Sequence, residues 1–315
     1  MTQSSVAPPP AGTSRRRFRE TVTADLAARQ GGVCHRAQLR ALGVTRDDVR
    51  YEVAAGRWTT SGRHTVQLRS GGGDRAAWHR AVWETRGAAW LDGVTALIAA
   101  GFTGWEEPIT HVSVPAGSSV KPVDGVRIHQ LRCRNYRCTG DPPRAEVERA
   151  ALNAASWAST DRVATTILAM VVQQRLTTGD RLDESLQDAP AVHRVGVIRQ
   201  VVADVRGGAQ ALSEIDFGRL CRRYGVPEPS RQAVRPGPTG RIYLDASWDD
   251  YDLAVEIDGF QHSQGLAMVD DVLRDNAMAL AGTSTLRIPV LGLRTSPAAF
   301  MAQLTDALRR RGWAS

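Results

Sequence analysis

Residues 243–262 read YLDASWDDYDLAVEIDGFQH. Asp245, Asp249, Asp250, Asp252, Glu256 and Asp258 crowd this segment, and neither Lys nor Arg stands among them. The runs 242–248 (IYLDASW) and 253–258 (LAVEID) read as strands, and four residues of turn character, Asp249–Asp252, separate them. Pairing Trp248 with Leu253 in an antiparallel hairpin sets Asp245 directly across from Glu256, with Cβ atoms only about 5 Å apart. Glu256 and Asp258 are two residues apart and share a face, while Val255 and Ile257 point the other way, toward a core. Opposed carboxylates repel unless a cation lies between them or one stays protonated. A hard divalent ion, Mg²⁺ or Mn²⁺, held by Asp245 and Glu256 is one solution. A solvated strand in a slipped register is the alternative.

The flanking sequence continues the pattern. Upstream, the stretch from Ser213 reads as an amphipathic helix with Ile215, Phe217, Leu220 and Cys221 apolar, stopped by Gly225 and Pro227. Downstream, Gly259 permits a tight exit and His262 follows. DVLRDNAMALAG (271–282) predicts a helix, TLRIPV (285–290) a strand and 297–310 a closing helix. Helix–strand–strand–helix–strand–helix is a small α/β unit over 209–315.

This unit resembles the restriction-endonuclease-like PD-(D/E)XK superfold, most closely its very-short-patch-repair group. The likeness is carried by Glu214, Asp245 in LDASW, VEIDG at 255–259, His262, RDN at 274–276 and TLRIPV. The resemblance implies that Asp245 and Glu256 bind the metal and that Glu214 completes or supports the site. It further implies that His262 orients or deprotonates the attacking water, and that Arg274 neutralises a phosphate oxygen or pairs with a site carboxylate. One departure stands out. The third catalytic position of the superfold is Lys, whereas this chain has Asp258 there and no Lys after Lys121. His262 or Arg274 must then take the electrostatic role, or cleavage is lost.

Charge marks the other end of the chain. Residues 1–80 hold fourteen Arg against six acids, a balance of +8, and the whole chain carries +7. Such asymmetry predicts a polyanionic partner for this part. Residues 1–19 read as a disordered basic tail, in which Arg15-Arg16-Arg17 serves as a phosphate-gripping arm or as a solubilising one. Over 20–70, Thr23 is a plausible N-cap for a helix to Arg29, His35–Leu42 forms a second helix, and Thr45 caps a third that Gly56 ends. RWTTSGRHTVQL then reads as two short β runs about Ser61-Gly62. Three short helices and a hairpin follow the order of a winged helix-turn-helix. Arg46, Arg50 and Tyr51 are the exposed candidates of its recognition helix, and Arg57, Arg63 and His64 those of its wing. The segment resembles the winged-helix domain of AbiEi-type antitoxins, by its order of helices, its GRW entry to the wing and the HTVQL strand. A winged helix used for protein contacts is the competing reading.

Between the two lies an α+β middle region, 74–206, after a GGG linker at 71–73. Helices are predicted over 76–87, 90–100, 145–157, 161–176, 179–187 and 192–205, and strands over 110–115 and 126–132. His111, His129, Cys133 and Cys138 invite a zinc reading, but no second close pair completes a ligand set.

With 42% apolar residues the chain can build packed cores. It has no apolar run long enough to span a membrane and no signal-peptide core at its start. Four scattered Cys fit a reduced, cytoplasmic setting. The expected fold class is mixed α/β: a winged helix, an α+β middle and a restriction-endonuclease-like domain. The expected function is a metal-dependent DNA endonuclease of defence or repair. The alternative is a non-enzymatic, antitoxin-like transcriptional regulator with a degenerate nuclease domain, which would imply a toxin or other protein partner.

Overall fold

The computed structural model describes residues 14–69, 72–132, 136–188, 193–207, 217–236, 242–258, 272–273, 276, 285–289, 292–293 and 296–314; for 207, 231–236, 242–245 and 258 it describes the backbone alone. The fold is mixed α/β. The chain divides into two compact units, Met1–Ala99 with Gly104–Glu146, and Ala100–Thr103 with Val147–Ser315. The middle region expected over 74–206 is therefore shared: its strands go with the N-terminal unit and its helices beyond Glu146 with the C-terminal unit.

The N-terminal unit begins with α1 (Arg15–Arg29), β1 (Val33–His35), α2 (Arg36–Ala41), α3 (Arg46–Ala54), β2 (Thr59–Thr60) and β3 (Thr65–Gln67). The three strands form one sheet in the order β1–β3–β2, and the β2–β3 hairpin is the segment expected as the wing. Its core is Ala27, Cys34, Leu39, Val44, Val49, Trp58, Val66 and Leu68. Two expectations are corrected here. The tail expected over 1–19 is helical from Arg15 onward, capped by Ser14 rather than Thr23. Thr23 lies buried inside α1, its hydroxyl donating to the Arg19 carbonyl at 2.8 Å. The second correction is β1, where three residues pair with β3 before α2 begins.

The unit continues with α4 (Gly73–Thr85), β4 (Trp90–Leu91), α5 (Gly93–Ala99), β5 (Thr110–Pro115), β6 (Val126–Leu131), β7 (Cys138–Thr139) and β8 (Arg144–Ala145). The five strands form one sheet in the order β6–β5–β4–β8–β7. Trp90 and Leu91, expected as helix, are strand because both are buried against β5 and β8.

In the C-terminal unit, α6 (Val147–Trp157), α7 (Asp161–Gln173), α8 (Gly179–Gln187) and α9 (Val195–Gly207) precede the Phe217–Arg223 helix. The sheet of β9 (Arg231–Pro236), β10 (Ile242–Trp248), β11 (Leu253–Asp258) and β12 (Thr285–Pro289) has the order β12–β11–β10–β9. β9, β10 and β11 are antiparallel neighbours, and β12 runs parallel to β11. A 3₁₀ turn at Asp249–Tyr251 and a left-handed Asp252 make the hairpin bend. One sheet face, with Ala246, Trp248, Leu253, Val255, Ile257, Leu286 and Ile288 buried, packs on the helix Pro297–Arg310 through Phe300, Leu304 and Leu308. No helix among the described residues is long and apolar enough to cross a membrane.

Candidate nucleic-acid interface and carboxylate site

Local sequence fixes α3. The Thr45 hydroxyl accepts from the Asp48 backbone N–H at 3.1 Å, and the Asp48 carboxylate accepts from the Thr45 N–H at 2.8 Å. This capping box starts the helix, and Asp47 and Asp48 in its first turn suit the helix dipole. Val49 enters the core, which leaves Arg46 and Arg50, one turn apart, exposed on the outside.

Those two side chains line a cleft of about 660 Å³ between α2, α3 and the wing. Arg36, Arg40, Arg63, His35 and His64 also line it, and among the described residues no carboxylate does. The walls are tied together, since Arg36 Nε donates to the Arg63 carbonyl at 3.0 Å. The His35 and His64 rings stack at 5.4 Å and 2°. His35 Nδ1 accepts from the Ala37 N–H to cap α2. Burial, and then the His64 charge, push the His35 pKa down against the pull of Glu84. Five guanidiniums around a concave, acid-free surface favour a polyanion.

Of the expected DNA-contacting residues, Arg46, Arg50 and Arg63 meet in this cleft, whereas Tyr51 and Arg57 do not. Tyr51 is exposed, its ring flanked by the guanidiniums of Arg19 and Arg57, each 5.4 Å from the ring centre. Arg57 pairs with Glu52, and Glu52 also pairs with Arg19. Arg19, only 4% exposed, reaches Asp48 at 2.8 Å as well, and Arg15 joins Asp48 at 2.9 Å. Arg15 and Arg19 thus fasten α1 to α3, and Arg57 ties the segment after α3 back to the same helix. Burial works to raise the Asp48 pKa, but bonds from Arg15, Thr45 and Arg19 outweigh it and hold Asp48 well below the usual carboxylate range.

A residue that sequence reasoning missed, Glu84 of α4, fixes the wing. Its carboxylate accepts from the N–H groups of Arg63, His64 and Thr65 at 2.8–2.9 Å and from the Thr65 hydroxyl at 2.7 Å. Burial raises its pKa, and these bonds overcome that and lower it. A Cβ at Gly62 would lie 2.4 Å from this anchored carboxyl group, so glycine is required at the wing tip. The only advance signal was an acid about twenty residues from its partners.

In the C-terminal unit Asp245 pairs with Glu256, as the hairpin length predicts. Slipping the register by one residue would expose Leu253, Val255 and Ile257, at about 1.5–3 kcal/mol each. Like-charge opposition on the other face costs only about 0.2–1 kcal/mol. Burial therefore wins, and the backbone register holds Asp245 and Glu256 opposite one another despite their charge.

Glu256 also has a basic neighbour that the hairpin alone could not reveal. Arg287 of β12 stands beside it in the parallel register, with Nε 3.3 Å from Glu256 Oε2. The buried Asn276 side chain grips the same residue, donating to the Arg287 carbonyl at 2.7 Å and accepting from its N–H at 3.2 Å. It closes peptide groups that edge strand β12 would otherwise leave unpaired. Glu214, His262 and Arg274 lie outside the described residues, and of Asp245 and Asp258 the backbone alone is described. Among the described residues no set of three or more His, Cys, Asp or Glu converges to hold a metal. His111 and His129 instead face each other, Nδ1 to Nε2 at 3.0 Å. Neither a protein-family model nor a curated protein matches this chain.

Proposed function

We propose that this chain is a DNA-binding protein carrying a metal-dependent phosphodiesterase domain. The observation that supports it most is the acid-free cleft, where Arg46 and Arg50 of α3 and Arg63 of the wing converge. A helix-turn-helix presents the outer face of this helix to the major groove and its wing to the adjoining backbone.

The phosphodiesterase part rests on the resemblance and on the pairing of Asp245 with Glu256. Two carboxylates on adjacent strands supply the oxygen donors that Mg²⁺ or Mn²⁺ takes, so the residues fit such an ion. Bound there, it would lower the pKa of a water and offset charge at the scissile phosphate. Asp245 and Glu256 would hold it, with Asp258 on the same strand and Glu214 in support. His262 would accept the water's proton, and Arg274 would face a phosphate oxygen. Asn276 keeps Arg287 in place beside Glu256, so a positive charge flanks the site where the superfold's Lys is missing.

A specific observation favours a second reading. The Arg287–Glu256 pair already compensates one carboxylate without any cation. On that reading the domain is a non-cleaving part of a DNA-binding regulator, and a toxin or other protein would be its partner.

The DNA claim is tested by titrating a labelled duplex with the full chain at several salt concentrations. The triple variant Arg46→Ala/Arg50→Ala/Arg63→Ala should bind far more weakly. Its slope of log K against log salt should fall by roughly 0.9 for each phosphate it no longer neutralises. Equal affinity and slope for both proteins would refute it.

A further inference from the structure

The back of the wing opens on a second cleft of about 300 Å³. It shares Gly62, Arg63 and His64 with the first and adds Arg80, Arg86 and Lys121. Lys121 is the chain's single lysine. Resting on the DNA reading above, we propose that this cleft is a second backbone-phosphate site, in which Arg86 and Lys121 carry the DNA track across the wing onto the loop between β5 and β6.

Helix α4 splints the wing from behind. Arg80 Nε donates to the Ser61 carbonyl at 2.9 Å, and Glu84, one turn on, accepts three wing N–H groups. The Glu84 carboxylate keeps its charge but commits its acceptor capacity to the wing backbone, and Asp124, exposed, is the other lining carboxylate, so two acids face the four cations Arg63, Arg80, Arg86 and Lys121. The Lys121 N–H bonds to the Thr85 carbonyl at 3.0 Å, bringing the 121–124 loop to the C-terminal end of α4. Three elements therefore present cations around one opening: the wing with Arg63, α4 and its cap with Arg80 and Arg86, and the loop with Lys121.

The backbone at Arg86 is the second, independent observation. It caps α4 at φ 68° and ψ 169°, a region that belongs almost entirely to glycine. Gly87 follows, also at positive φ. A glycine at 86 would close the helix without strain. An arginine held there points to a role for its side chain, because residues kept in such conformations cluster at binding sites. The cleft walls give that role its chemistry, since a guanidinium and an ammonium beside one opening suit a phosphate diester.

The test is a fluorescence anisotropy titration of a duplex with the full chain across salt, beside thermal unfolding. Arg86→Gly removes the charge and relieves the backbone, so its thermal midpoint should not fall. Its affinity should fall about fivefold at physiological salt, and its salt slope by about 0.9, the effect of neutralising one phosphate fewer. Lys121→Ala should behave alike, and Asp124→Asn should bind more tightly than wild type. If Arg46→Ala weakens binding while Arg86→Gly and Lys121→Ala keep wild-type affinity and slope, this second site is wrong and the first interface stands. If the wild-type chain shows no salt-dependent duplex binding at all, both fall together.

Discussion

Arg287 stands beside Glu256 across a parallel strand pair, its Nε 3.3 Å from Oε2, with 70% of the Arg287 side chain and 36% of the Glu256 side chain exposed. At that exposure the pair contributes about 0–1 kcal/mol. Its interest lies in competition: a cation shared by Asp245 and Glu256 must take Glu256 from the guanidinium. Arg287→Gln should therefore change stability little in metal-free buffer. It should lower the Mn²⁺ concentration that half-saturates the rise in thermal midpoint, because binding to the folded state stabilises it by mass action. An unaltered Mn²⁺ response would show that Arg287 and the ion do not contend for Glu256.

On α3, Arg46→Ala and Arg50→Ala should weaken duplex binding more than Arg310→Ala does. The first two line the acid-free cleft, while Arg310 pairs with Asp306 on the C-terminal helix. A loss of about 1–3 kcal/mol at either position would mark a base-edge contact, and a smaller loss with a reduced salt slope a phosphate contact. The exposed Arg50–Asp47 pair, at 3.3 Å, is too weak to withhold Arg50. Tyr51→Ala should leave affinity near wild type. Equal, small effects at all four positions would move the interface away from α3.

What the sequence made legible was local. Turn length and alternation sufficed for the Asp245–Glu256 register: burying Leu253, Val255 and Ile257 excludes a one-residue slip, and the four-residue turn sets which residues pair. The Thr45–Asp48 capping box was equally readable, since both partners lie within one turn. What escaped depended on partners far along the chain. Arg15-Arg16-Arg17 reads as a phosphate-gripping or solubilising arm and Arg19 as part of the basic tail, whereas Asp48 and Glu52, about thirty residues on, pair with Arg15 and Arg19 inside α1. The pairing of Arg57 with Glu52 and its stacking on Tyr51 are equally illegible in the sequence, since nothing local in the chain marks them. Arg287 could not be set beside Glu256 without the parallel pairing of β12.

Arg19 is the centre of that network. Removing one partner of a buried ion pair usually costs about 3–5 kcal/mol, because the other is left uncompensated. Here Asp48 keeps Arg15 and Glu52 keeps Arg57, so Arg19→Ala should cost near the lower end of that range. Urea unfolding measures it. A loss under about 1 kcal/mol, the level of exposed pairs, would show that the network does not fasten α1.

Acid should destabilise the fold in two separate windows. Burial, then the neighbouring His111 and Arg127 charges, lower the His129 pKa from 6.5 to about 4. The unfolded chain thus takes up the proton first, and stability is lost as pH falls from about 6.5 to about 4. Asp48 is held below its ordinary value of 3.8, so its contribution is full above that pH and is lost only below it. The pKa values of His35, His79 and His111 are lowered in the same sense as that of His129, and those of Glu52 and Glu84 in the same sense as that of Asp48. In urea midpoints measured against pH, His129→Gln should therefore shrink the upper window and Asp48→Asn the lower one. Identical profiles for the two variants would contradict this assignment.

The most direct measurement is cleavage of supercoiled plasmid by the full chain in Mg²⁺ or Mn²⁺, run beside Asp245→Ala and Glu256→Gln under conditions where all three proteins bind DNA equally. Metal-dependent conversion to nicked or linear DNA by the wild type, absent from both variants and in chelator, is the expected result. Intact plasmid with every protein and either metal, while binding persists, would contradict the phosphodiesterase claim and leave the DNA-binding regulator.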